Sequence, residues 1–194
     1  MPRRGRNSRE PMAYGKLQNM KPRLMHGCDW AGQDLAGWWA SEKLNGWRAL
    51  WTGSRLVTRQ GEVLDAPDWF TAGLPARALD AELWAGPGTT HDQVNGLVQS
   101  GRWAGLQLRP FDVPELGCKT EAAQALLQEL SLGLYARPVE YVRIGSTREA
   151  IAMMWCIVAA GGEGIMLRKA GAGYAPDYRT EKLLKLKPSV MRDA

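Results

Sequence analysis

The chain has 194 residues, of which 45% are hydrophobic and 23% are charged. This composition suits one globular domain with a real core and excludes disorder over most of the length. No apolar run approaches the roughly 18 residues that a membrane span needs. The arginine-rich first 20 residues lack the apolar segment of a secretory signal. We therefore expect a cytoplasmic protein without a membrane partner, and we expect a monomer.

The net charge of +5 is unevenly distributed along the chain. Residues 1–23 carry seven Lys or Arg residues and one acidic residue, and residues 165–194 carry seven basic and three acidic residues. Residues 24–164 between them carry eleven basic and sixteen acidic residues. Basic ends of this kind are typical of proteins that bind polyanions such as nucleotides or nucleic acid, or of charged tails that only aid solubility. Residues 1–20 are predicted to form a basic flexible arm, which either clamps nucleic acid or is a plain tail.

Short strand and helix patterns alternate over the rest of the chain. They predict strands over 37–44, 47–51, 55–59, 77–84, 106–113, 139–144, 163–168 and 183–187, and helices over 91–100, 120–132 and 147–160. Thr120 and Ser146 are the predicted N-caps of the last two helices. Pro110 predicts an edge strand or a bulge. Because tight turns join several strands, the pattern indicates an α+β fold of antiparallel sheets flanked by helices.

Charged side chains recur at the ends and on the faces of these strands. No glycine-rich phosphate loop is present, so side chains would have to hold any nucleotide. Lys43 ends one strand, Asp80 and Glu82 share a face of another, and Glu163 precedes a glycine. The last predicted strand presents two lysines on one face. Each residue alone is typical of an ordinary surface charge. Together they suit a polyphosphate with a divalent metal, because carboxylates bind Mg²⁺ and lysines bind phosphate oxygens.

Six segments resemble, in this order, the motifs of the covalent nucleotidyltransferase superfamily, which contains ATP-dependent DNA ligases, RNA ligases and mRNA capping enzymes. They are residues 43–48 (KLNGWR for K-x-D-G-x-R), 58–61 (TRQG), 79–83 (LDAEL for L-D-G-E-L), 111–112 (FD), 163–168 (EGIMLR) and 185–187 (KLK). The flanking sequence is similar to that of small, E-type bacterial ATP-dependent DNA ligases and related phage enzymes. The resemblance implies an ATP-grasp-like nucleotidyltransferase fold, with an adenylation domain over residues 21–190.

The resemblance also implies a reaction and a role for each matching residue. Lys43 would attack the α-phosphorus of ATP and hold AMP, which then passes to the 5′-phosphate of a nick before the 3′-OH seals the strand. Because a free lysine is almost fully protonated near neutral pH, nearby cations and a metal would have to favour the neutral amine.

The resemblance assigns three groups of residues to ligands. Arg59 would meet the 5′-phosphate of nicked duplex DNA, and Glu82 and Glu163 would bind Mg²⁺ or Mn²⁺. Phe111 would stack on adenine, although a core aromatic is the alternative. The residues assigned to ATP are Glu42, Arg48, Glu82, Phe111, Met166, Arg168, Lys185 and Lys187.

The sequence departs from the family pattern at three places. Asn45 stands where the first motif has Asp, which removes a negative charge, and Ala81 adds a methyl group to L-D-G-E-L. Family ligases continue into an OB-fold domain, whereas seven residues follow Lys187, so no OB-fold domain is expected in this chain. The resemblance implies an ATP-dependent DNA ligase. An RNA ligase, a capping-type enzyme and a non-catalytic nucleic-acid-binding relic of the fold remain the alternatives.

Overall fold

The computed structural model describes residues 21–114, 119–176 and 178–192, so the predicted arm over residues 1–20 lies outside the described residues. The strands are β1 (His26–Asp29), β2 (Trp39–Glu42), β3 (Trp47–Trp51), β4 (Leu56–Thr58), β5 (Leu79–Trp84), β6 (Gln107–Asp112), β7 (Val142–Arg143), β8 (Ile165–Arg168) and β9 (Arg179–Leu186). The helices are α1 (Asp68–Thr71), α2 (His91–Gln99), α3 (Thr120–Glu129) and α4 (Thr147–Ala159). Within these described parts, no helix is both long enough and apolar enough to cross a membrane.

The strands form two sheets. The first sheet has the order β1-β9-β8-β2-β7, and the second has the order β4-β3-β5-β6. The prediction of antiparallel sheets is confirmed for the other strand pairs of the described residues, but it is wrong for β1 and β9, which pair in parallel. These two strands stand at opposite ends of the described chain, so no tight turn between them dictates an antiparallel direction. The first sheet is therefore mixed.

Most predicted elements exist with shifted ends. The strand over 47–51 is β3, and Ser146 caps α4 as predicted by accepting a hydrogen bond from the Glu149 amide. Pro110 lies in β6, the last strand of its sheet, beside a register shift in the pairing with β5. The prediction for Thr120 is wrong, because Lys119 occupies the N-cap position. The Thr120 hydroxyl donates instead to the carbonyl of Ala172 at 2.9 Å, a long-range bond that replaces the local cap.

Other boundaries depend on partners that are distant in sequence. The predicted strand over 139–144 is only the two-residue β7, which pairs with the start of β2 at the margin of its sheet. The predicted strand over 183–187 begins four residues earlier as β9, because β1 and β8 pair along it. Neither β1 nor the short helix α1 was predicted. Strand β1 has four residues with no alternating pattern, and only its partner β9 defines it.

Each sheet has its own hydrophobic core. Leu79, Ala81 and Leu83 of β5 share a face, as predicted, and are fully buried with side chains from α2 and α3. Ile165 and Leu167 of β8 are buried in a second cluster with side chains from α4. The helices therefore cover the outer faces of the two sheets. Alternate side chains of the same two strands face the other way and help to line a cavity.

Two buried carboxylates of the second sheet bind groups from the first. Asp112, at the end of β6, pairs with Arg168 of β8, and both side chains are less than a tenth exposed. Asp80, in β5, is 0% exposed and accepts a hydrogen bond of 2.7 Å from Tyr174, which lies between β8 and β9. A buried carboxylate is unfavourable unless it is paired and hydrogen-bonded. These contacts therefore define how the two sheets lie against each other.

We predict that Asp112→Ala lowers the free energy of unfolding by about 3–5 kcal/mol, because it leaves the Arg168 guanidinium buried without its counter-ion. Urea unfolding followed by circular dichroism measures the loss. The control Asp92→Ala removes a carboxylate whose side chain is 98% exposed, and it should change the free energy by less than about 0.5 kcal/mol. A loss below about 1 kcal/mol for Asp112→Ala would contradict the proposed importance of this pair.

Candidate active site

A cavity between the two sheets collects most of the predicted site residues. Nine of the eleven line its walls: Glu42, Lys43, Arg48, Arg59, Glu82, Phe111, Met166, Arg168 and Lys185. The other two interact with residues of these walls. Glu163 pairs directly with Lys43. Lys187 follows the end of β9, and its positive charge acts on Lys185. Segments that are far apart in the sequence therefore meet at one site.

Lys43 follows β2 and is held at both its backbone and its side chain. Its amide donates to the Gly164 carbonyl at 2.9 Å, and its Nζ donates to a carboxylate oxygen of Glu163. Gly164 has φ +146°, and a Cβ there would lie 2.4 Å from the Leu186 carbonyl oxygen. A residue with a side chain would clash at this position. The glycine therefore allows the segment that contains Glu163 to lie directly against the end of β9.

Gly46, in the turn after Lys43, lies directly against β5. A Cβ on Gly46 would lie 2.0 Å from the Leu83 carbonyl oxygen and 2.9 Å from Cγ of Glu82. Glu82 is also the cross-strand neighbour of Arg48 in β3. Burial raises the pKa of Glu82 to about 7, although Arg48 and Lys43 oppose that rise. The Glu82 carboxyl is thus close to half protonated at neutral pH, and it can donate or accept a hydrogen bond.

The raised pKa of Glu82 gives a pH dependence of stability. The unfolded chain loses this proton near the ordinary value of 4.5 and the folded protein near 7, so the group destabilises the fold progressively between these two values. In metal-free buffer, we expect Glu82→Gln to gain about 2–3 kcal/mol of unfolding free energy over the wild type between pH 4.5 and pH 8. Urea titrations at each pH measure it. The control Glu129→Gln removes an exposed carboxylate and should not reproduce this gain. A difference between Glu82→Gln and the wild type that is the same at every pH would refute the prediction.

Phe111 presents its ring to the cavity near two guanidinium groups. The ring centroid lies 5.4 Å from the Arg48 guanidinium carbon and 6.0 Å from that of Arg168. The Tyr141 hydroxyl donates to the Phe111 carbonyl at 3.1 Å, which fixes the strand at this point. The ring is partly exposed and lines the cavity rather than packing within either hydrophobic cluster. This placement suits a stacking surface better than a core aromatic.

Positive charges converge on the β9 side of the cavity. Burial lowers the pKa of Lys185, and Asp29, whose carboxylate lies 3.9 Å away, partly offsets this effect. The charges of Arg179, Lys43 and Lys187 lower the pKa of Lys185 further. Like charges repel unless an anion lies between them. The arrangement therefore suits a ligand that carries several negative charges, such as a polyphosphate.

The sequence did not predict two further cavity residues, His26 and Arg179. They are aligned partners at the start of β1 and β9. Burial lowers the pKa of His26, and the charges of Arg48, Arg59 and Arg179 lower it further, so a neutral imidazole is favoured. His26 lies in a strand that was not predicted, and Arg179 precedes the predicted start of β9. The run Tyr178-Arg179-Thr180 was the available signal, since aromatic and β-branched residues favour a strand.

The carboxylates of the cavity fit a metal ion that binds together with a nucleotide. In residues 21–114, 119–176 and 178–192, no group of three or more His, Cys, Asp or Glu side chains is placed to bind a metal. Glu82, in β5, is affected by the charge of Lys43, and Glu163, just before β8, pairs with Lys43 directly. Mg²⁺ commonly takes one or two protein carboxylates and fills its remaining positions with phosphate oxygens and water. The donor set fits that mode of binding.

Comparison with known proteins identifies the family. No protein-family model matches the chain. A DNA ligase of Haemophilus influenzae is 30% identical over an alignment of 161 residues, and the match covers 80% of this chain and 59% of that protein. The chain thus spans about three fifths of this relative's length. A solved structure from a structure-function study of Lig E DNA ligases has a TM-score of 0.78 and 30% identity, covering 85% of this chain and 68% of that one. The chain belongs to the DNA ligase family.

More distant ligases share the fold of this chain. The ligase domain of Mycobacterium tuberculosis LigD has a TM-score of 0.66 at 21% identity, covering 86% of this chain and 59% of that one. Chlorella virus DNA ligase-adenylate has a TM-score of 0.66 at 20% identity, covering 85% and 68%. The predicted α+β nucleotidyltransferase fold and the resemblance to E-type ligases are thereby confirmed.

Proposed function

We propose that this chain is an ATP-dependent DNA ligase in which Lys43 receives AMP from ATP and passes it to the 5′-phosphate of a nick. The observation that carries the proposal is the meeting of Lys43, Glu82, Glu163 and Lys185 at one cavity in a member of the DNA ligase family. ATP as substrate is supported by two structures with the same fold that contain it, those of a mycobacterial DNA ligase D and the bacteriophage T7 ligase.

In the first step, Lys43 Nζ attacks the α-phosphorus of ATP. The nitrogen–phosphorus bond forms while the bond from that phosphorus to the bridging oxygen breaks, and pyrophosphate leaves. Nζ must lose a proton for this attack, and Glu163 is the carboxylate in contact with it. The positive charges of Lys185 and Lys187 would stabilise the negative charge that develops on the phosphates. Mg²⁺, bound through Glu82 and Glu163, would supply further charge neutralisation there.

The remaining residues would bind and orient the nucleotide. Phe111 offers its ring to adenine, and Glu42 and Met166 also line the cavity. Arg168 already donates to buried Asp112, so its charge acts from a fixed position. Arg59 is exposed at the cavity, where it can bind the 5′-phosphate of nicked duplex DNA in the later steps.

We expect Lys43→Ala to abolish labelling of the protein by α-³²P-ATP with Mg²⁺, because it removes the nitrogen that forms the bond to phosphorus. The wild type should form an acid-labile adduct that survives denaturing gel electrophoresis. The control Lys182→Ala changes an exposed lysine of β9 outside the cavity and should keep at least half of the wild-type labelling. Labelling of Lys43→Ala at the wild-type level would rule out Lys43 as the nucleophile.

We expect Arg59→Ala to lower the rate of sealing nicked duplex DNA about tenfold or more, since a charge-assisted hydrogen bond to phosphate is lost. The effect on sealing should exceed the effect on labelling with ATP. The control Arg55→Ala removes an exposed arginine from the same hairpin and should retain most of the sealing. Gel assays on nicked DNA and nicked RNA make the comparison. Sealing of RNA alone would overturn the DNA assignment in favour of an RNA ligase.

A further inference from the structure

The hydroxyl of Tyr174 joins three separate parts of the chain. It donates to Asp80 Oδ2 in β5 at 2.7 Å and accepts from the Met25 amide, directly before β1, at 3.0 Å. A phenol has one hydrogen to donate. The Met25 amide donates to the phenol oxygen and cannot accept from it, so the hydroxyl hydrogen of Tyr174 is donated to Asp80. Burial and the Asp80 charge raise the pKa of Tyr174, so the phenol remains a donor near neutral pH.

Asp80 in turn holds Arg48. The Asp80 side chain is fully buried, and its Oδ1 accepts from Arg48 Nε at 2.9 Å, while its Oδ2 accepts from Arg48 Nη2. Arg48 and Tyr174 therefore share Oδ2. This fork uses two nitrogens of the guanidinium, and the third, Nη1, retains both of its hydrogens for other partners. Arg48 lines the cavity, whereas neither Tyr174 nor Asp80 does.

We propose that Tyr174 is a positioning residue for nucleotide binding, which fixes the Asp80 carboxylate so that Arg48 presents its remaining guanidinium edge to the nucleotide. The inference rests on the proposed function, in which Arg48 binds ATP. Without the hydroxyl, Asp80 keeps only its bonds to Arg48 and can rotate with it. The guanidinium then moves relative to Phe111 and the rest of the cavity wall, and the protein must reorder it when the nucleotide binds.

The test compares Tyr174→Phe with Tyr178→Phe, which removes the same hydroxyl from a tyrosine that is 68% exposed four residues later. Equilibrium binding of ATP in EDTA gives the dissociation constant without chemistry, and labelling with Mg²⁺ gives KM and the maximal rate. We expect Tyr174→Phe to raise the dissociation constant and KM five- to tenfold and to change the maximal rate less than twofold. Tyr178→Phe should change each of them less than twofold.

A double-mutant cycle separates positioning from a purely structural role. Lysine cannot form the two-nitrogen fork to Asp80, so in an Arg48→Lys background Tyr174→Phe should raise the dissociation constant less than twofold. An equal increase in both backgrounds would overturn the proposal, because the tyrosine would then act independently of Arg48. So would a Tyr174→Phe protein that melts at a lower temperature but binds ATP like the wild type.

The same measurements distinguish this inference from the proposed function. If the wild type forms the Lys43 adduct and Tyr174→Phe has unchanged affinity, only the positioning role fails. If the wild type binds ATP but forms no adduct, the ligase mechanism fails, and the dissociation constants in EDTA still decide the role of Tyr174. If the wild type does not bind ATP, both proposals are overturned.

Discussion

Asp80 and Asp112 lie in neighbouring strands of the second sheet, and each carboxylate receives a hydrogen bond from the first sheet or its connecting segment. The donors are Tyr174 and Arg168. Carboxylates at this depth are stable only when charge and hydrogen bonds compensate for lost hydration. If one sheet slid against the other, Asp112 would lose its counter-ion Arg168, and Asp80 would lose the Tyr174 hydrogen bond. The cavity between the sheets therefore has walls at a defined separation, which is what a site for an oriented phosphate requires.

This arrangement divides the motif residues into anchors and contacts. Asp80 and Glu82 alternate on β5, yet Asp80 is fully buried and bound to Arg48, whereas Glu82 lines the cavity. Phe111 and Asp112 divide in the same way on β6, with the ring at the cavity and the carboxylate buried. The anchors contribute to function by holding the cations and the ring in place. Replacing Asp80 or Asp112 by a neutral residue would lower the stability of the fold, and it would weaken ligand binding only through that effect on the cations they hold.

Local patterns were sufficient to predict the faces of single strands but not their partners. The alternation in β5 placed Leu79 and Leu83 in the core and Glu82 on the opposite face, because a strand has a period of two whatever it pairs with. The contact between Lys43 and Glu163 joins residues 120 positions apart, so no local pattern could predict it. Tyr174 carried no signal at all, since its function depends on a carboxylate from the other sheet.

The charges of the free protein indicate what its cavity requires from a ligand. Arg48 and Arg168 are neutralised by the buried carboxylates, and Lys43 is paired with Glu163. Arg59 and Arg179 also line the cavity, as does Lys185, whose nearest carboxylate is the exposed Asp29 at 3.9 Å. Glu42 and Glu82 line the same cavity, but burial raises the pKa of both, which reduces their negative charge. An entering triphosphate would satisfy the cations and compete with Glu163 for the lysine. In the proposed reaction, Lys43 Nζ must therefore leave its contact with Glu163 to reach the α-phosphorus.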